Sequence, residues 1–137
     1  MYKKKSQISV EYMMIIGFVT LITIPLILIY HSFMQDSGDE IRSVQVKQVA
    51  QKIVDTAESV YYLGEPSQTT VKLNIPSNVI LTNLSNNELV FKIKTRSGTS
   101  DIVQSSSVNI SGALPTREGT YTLTIQAKSN YVQISYK

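Results

Sequence analysis

An α+β fold is predicted: a long N-terminal hydrophobic and amphipathic helix followed by a small antiparallel β-sheet or sandwich head. Three patterns follow one another along the 137 residues. An apolar run extends from Met13 to Ile29, and apolar positions then recur at helical spacing from Ile41 to Leu63. Beyond Pro66 the composition turns to Thr, Ser, Val, Ile and Asn, and one side chain in two is apolar. The expected outline is a lollipop, with a stick of ~85 Å if the helix is unbroken, at about 1.5 Å per residue.

Between Tyr12 and Tyr30 no side chain is ionisable near neutral pH, and this run spans roughly 28 Å as a helix. That length matches the ~30 Å hydrocarbon thickness of a bilayer. Gly17 and Pro25 interrupt it. Proline lacks an amide donor and crowds the preceding turn, which predicts a kink or local melting near Leu21 to Pro25. A second weak point is Asp36-Ser37-Gly38-Asp39-Glu40, where glycine costs about 1 kcal/mol against alanine and a bend or short break is expected.

The amphipathic segment places Ile41, Val44, Val49, Ile53, Val60 and Leu63 among Arg42, Lys47, Lys52, Asp55 and Glu58. Val46, Ala50, Ala57 and Tyr61 join the same pattern. Gly64 followed by Pro66 marks its end, glycine supplying the left-handed residue and proline preventing continuation. Strands are expected around Val71-Leu73-Ile75, Leu89-Phe91-Ile93, Tyr121-Leu123-Ile125 and Val132-Ile134-Tyr136, with shorter ones at 79–82 and 103–110. Ser129-Asn130 is short enough for a two-residue hairpin turn. Without crossover helices the sheet should be antiparallel, and the amphipathic helix should cover its open face.

The most specific motif precedes the apolar run. Lys3, Lys4 and Lys5 give way at Ser6 to Gln7-Ile8-Ser9-Val10-Glu11-Tyr12. An ordinary secretory signal carries a site of small residues after its apolar core, and none stands there. The pattern resembles the class III signal peptide of archaeal type IV pilins, and the resemblance covers roughly residues 1 to 30. It implies a pilin-like fold and cleavage between Ser6 and Gln7, with Lys3, Lys4, Lys5, Gln7, Ser9 and Glu11 read by the peptidase. Many members carry glycine where Ser6 stands. The implied organisation is a leader 1–6, a helix 7–64 (hydrophobic over 7–34, amphipathic over 35–64) and a β head 65–137.

By the same resemblance the chain is a structural subunit of an adhesive pilus that polymerises through its hydrophobic helix, with Glu11 and Tyr12 as assembly residues. Implied partners are further copies of the chain, a prepilin peptidase, an assembly ATPase and a membrane platform protein. The precursor would sit in the cytoplasmic membrane with its head outside, and the mature form in an extracellular pilus. The alternative is an uncleaved single-pass anchor whose β ectodomain binds an envelope component or ligand without polymerising. A minor pilin that primes assembly also fits.

Physical reasoning gives Glu11 its own weight. A carboxylate at the edge of an apolar segment needs compensation, and cleavage before Gln7 would create an α-amine able to supply it. The structural alternative leaves Glu11 at headgroup level, favoured by the helix N-terminus. The three leader lysines account for the whole formal charge of +3. They fit a cytoplasmic anchor under the positive-inside rule, so nucleic acid is not an expected partner.

Cysteine is absent, so no disulfide or thiolate chemistry is available. His31 is the only histidine and lies at the far border of the apolar run, which excludes a His-based triad or multi-His metal site in the head. Glu65, Glu88, Asp101 and Glu118 are too scattered for paired acid and base work. No enzyme, cofactor or metal is expected. Asn83-Leu84-Ser85 and Asn109-Ile110-Ser111 are glycosylation sequons that would point outward near turns. Lys92, Lys94 and Arg96 form a basic stripe, read as a solvated strand face.

Overall fold

The computed structural model describes the backbone of residues 3–85 and 87–137, and the side chains of these residues except 3–8 and 36. Among the described residues, helix α1 (Lys3–Leu63) is followed by seven strands. The chain divides into two compact units, one ending at Gly38 and the other running Asp39–Lys137.

Helical structure persists at both places where the sequence suggested interruption. Pro25 lies inside α1. Its fixed φ suits a helix, and the missing amide deprives only one carbonyl, that of Leu21, of its donor; the expected melting does not occur. Nor is there a break at 36–40. There the Asp39 carboxylate pairs with Arg42 at 3.1 Å and accepts the Arg96 amide at 2.7 Å, while Ser43 Oγ donates to the Asp39 carbonyl at 2.9 Å. Charge-assisted contacts of this kind offset the cost of one glycine.

Within Asp39–Lys137, α1 buries Val46, Ala50, Ile53, Val54, Ala57 and Val60. The steps of three and four residues draw one stripe along the helix. This stripe is rotated from the expected one, because Ile41, Val44 and Leu63 are exposed. The helix ends as its sequence indicates. Gly64 adopts φ 79° and donates to the Tyr61 carbonyl at 2.9 Å.

The strands are β1 (Gln68–Ile75), β2 (Val79–Ser85), β3 (Glu88–Thr95), β4 (Gly98–Ser105), β5 (Ile110–Gly112), β6 (Gly119–Ala127) and β7 (Val132–Tyr136). They form a three-stranded meander β2-β3-β4 and a four-stranded sheet in the order β1-β6-β7-β5. Ser129-Asn130 is the β6–β7 turn, closed by Lys128 N donating to the Tyr131 carbonyl at 2.9 Å. Leu73, Ile75, Leu89, Phe91, Ile93, Leu123, Ile125 and Ile134 are buried and share one core with the helix stripe.

Among the described residues the pairing is antiparallel with one exception: β5 runs parallel to β7, with Ile110 opposite Val132. A parallel pair needs a crossover only when the two strands are consecutive. Here β6 separates β5 and β7 in sequence, and the β6–β7 hairpin lies between β1 and β5 in the sheet, so no helix is required. The expected strand over 103–110 is two pieces. Ser106 interrupts it, donating its amide to the Asn87 carbonyl at 2.7 Å and accepting the Val108 amide on Oγ at 3.2 Å. Gly112 (φ 136°) lies against the Ile134 backbone, and any Cβ there would overlap the Ile134 carbonyl.

Candidate assembly surface

From Val10 to Met34 the large apolar side chains of α1 are exposed, between 44% at Ile22 and 75% at Met13. They occupy every side of the helix, so no polar face could lie on a soluble surface. An 18-residue window here has mean hydropathy 2.5 and is 0% buried. By length and composition the helix can cross a membrane. At about 2 kcal/mol for each large apolar side chain, leaving this surface in water would forfeit on the order of 30 kcal/mol. That exceeds the roughly 5–15 kcal/mol that stabilises a typical domain, so lipid or protein must cover it.

Polar groups along the run are few. Thr20 Oγ1 donates to the Ile16 carbonyl at 2.8 Å, which satisfies its hydroxyl inside the helix. His31 contacts Gln35 at 3.4 Å at the far border. Glu11 is exposed at the leading edge and has no ion-pair partner among the described residues. Ser9 and Tyr12 are exposed beside it. The side chains of Lys3, Lys4, Lys5, Ser6 and Gln7 lie outside the described residues, although their backbone is helical.

The head uses its acidic residues as fasteners. Glu58 accepts the Ser107 amide at 2.8 Å, tying α1 to the segment between β4 and β5. Glu65 accepts the Ser129 hydroxyl at 2.8 Å, and Asp101 pairs with Lys92 at 3.6 Å. Among the described residues no group of three His, Cys, Asp or Glu could hold a metal ion. Through its pair with Asp101, Lys92 of the basic stripe is engaged. Tyr121 and Tyr136 meet edge to face with centroids 5.9 Å apart. Asn83 and Asn109 are both exposed.

One surface escaped the sequence reading. Ile80, Leu81 and Val103 are exposed on the meander sheet. The usable signal was Val79-Ile80-Leu81, three consecutive apolar residues in a strand of period two. The register indeed shifts between Val79 and Leu81, the mark of a bulge.

Comparison with known protein families, with characterised proteins and with solved structures returned no match.

Proposed function

We propose that this chain is a structural subunit of an archaeal type IV-like adhesion pilus, trimmed between Ser6 and Gln7 and polymerised through the apolar part of α1. The reading rests on one conjunction. Gln7-Ile8-Ser9-Val10-Glu11-Tyr12 stands between a lysine cluster and a helix apolar on all sides, while Asp39–Lys137 has a core of its own. Because the buried core residues all belong to Asp39–Lys137, that domain is complete in itself and the apolar segment can exchange lipid for other copies of itself. The lysines hold the leader in the cytosol, so the head is exported.

In the filament, Glu11 of one subunit faces the Gln7 α-amine of a neighbour. Pairing neutralises both charges in a surrounding where an isolated carboxylate is costly, and it sets the axial stagger between copies. The partners are the leader peptidase, an assembly ATPase and a membrane platform protein.

The test is N-terminal sequencing of the protein from its cells, combined with electron microscopy of shed material. The expected result is a mature chain beginning at Gln7 in extracellular fibres. An intact Lys3–Lys5 leader on membrane-bound monomers would instead favour the single-span ectodomain.

A further inference from the structure

The two sheets differ on their outward faces. In the four-stranded sheet, Gln68, Gln126, Gln133 and Ser111 form one transverse row, and Thr70, Thr124 and Ser135 form another. That face is polar throughout. In the meander the register places Asn83 opposite Val90 and Val90 opposite Val103, so these three share one outward row. Directly opposed residues lie on the same face, and the buried face of β3 is taken by Leu89, Phe91 and Ile93. The next row holds Leu81 beside the Lys92–Asp101 pair. Leu81 and Val103 are about half exposed, at 51% and 52%. Apolar residues thus flank an asparagine that begins a sequon.

Ser85 completes that sequon two residues on, exposed and on the same outward face. Asn109 has no such surroundings. It too is exposed, but Val108 and Ile110 beside it point into the core, and the sheet face next to it is the polar one.

We propose that Asn83 carries an N-linked glycan lying across the outward face of β2-β3-β4, where it covers Val90, Val103 and Leu81. The donor is a lipid-linked sugar phosphate. Asn83 Nδ2 forms a bond to the anomeric carbon as the carbon–oxygen bond to phosphate breaks; the lipid phosphate leaves, and the amide proton passes to a base of the transferase. At about 4.8 Å between neighbouring strands, Val103 lies roughly 10 Å from the Asn83 backbone, within reach of the first sugars. Sugar rings offer an apolar C–H face to the valines and hydroxyls to water. This inference rests on the exported position of the head.

Because the chain contains no cysteine, Val103→Cys creates a unique thiol whose labelling by a bulky maleimide reports cover directly. The variant is made in the full chain in its own cells, with and without Ser85→Ala, which removes the sequon but keeps Asn83. Thr70→Cys, on the outward face of the other sheet, serves as control. Mass spectrometry should find a glycan on the Asn83 peptide that Ser85→Ala abolishes. Its loss should speed labelling at position 103 several-fold and leave position 70 unchanged. Unmodified Asn83, or labelling at 103 indifferent to the glycan, overturns the proposal. Trimming at Gln7 and the presence of fibres are scored on the same cells. Fibres with bare Asn83 therefore refute the glycan alone, and a glycosylated chain that keeps its leader refutes the pilus alone.

Discussion

Asp39 Oδ2 accepts the backbone amide of Arg96 at 2.7 Å, joining the start of the packed half of α1 to the β3–β4 turn, fifty-seven residues later in sequence. The other oxygen of the same carboxylate pairs with Arg42 at 3.1 Å. A hydrogen bond to an ionised group contributes roughly 1.5–3 kcal/mol when well shielded. This one is exposed, so Asp39→Ala should cost about 1 kcal/mol, or roughly 4–8 °C in Tm for a unit of this size. Arg42→Ala removes only a surface ion pair and should cost less than about 0.5 kcal/mol. Thermal unfolding of the two variants checks the order; equal losses would mean that the Arg96 contact contributes nothing.

Gly112→Ala should be more damaging than its chemistry suggests. The residue has φ 136°, and a Cβ would collide with the Ile134 carbonyl in the β5–β7 pair. Strain of this kind costs on the order of 1–3 kcal/mol. Amide hydrogen exchange should accelerate at Ala113 and Val132, whose amides donate to Ile134 and Asn109, before it does so in the meander. Uniform acceleration through both sheets would show that β5 does not open by itself.

Ile53→Ala and Leu21→Ala make the same chemical change in two settings. Ile53 is fully buried in the head core, and its truncation should cost about 2–5 kcal/mol of head stability. Leu21 is 70% exposed, so its truncation should leave head unfolding unchanged and, under the proposed function, weaken only membrane retention or assembly. A loss of head stability in Leu21→Ala would place that side chain in the wrong surroundings.

Much of this arrangement is legible in sequence, because periodicity reports faces well. Leu89-Phe91-Ile93 and Tyr121-Leu123-Ile125 lie on the side their alternation indicates, and Gly64 ends α1 as its position implies. Legibility fails where a distant contact decides. Nothing local to Gly38 shows that Asp39 will find Arg96. Nothing local to Ile110 shows that a hairpin formed later will leave β5 beside β7 in parallel. The helix stripe misleads because Ile41 and Val44 keep the helical period yet belong to the exposed side. At the leading edge Ser9, Glu11 and Tyr12 can be picked out by residue type, and in the structure all three are exposed.

Glu11→Gln separates insertion from assembly under the proposed function. An amide is easier to bury than a carboxylate, so membrane insertion should be retained or improved. Fibre yield should fall, because the Gln7 α-amine of the neighbouring copy loses its counter-charge. Quantifying fibres against membrane-bound protein reads both effects. Normal fibre yield in Glu11→Gln would show that assembly does not use the pair.

The six inward residues from Val46 to Val60 line about four turns of α1 against the sheets. A pull applied along that stretch of helix would load all six contacts together in shear, where a terminal tether would be peeled one contact at a time. The domain is thus gripped along a line of contacts, and rupture requires losing the whole stripe at once.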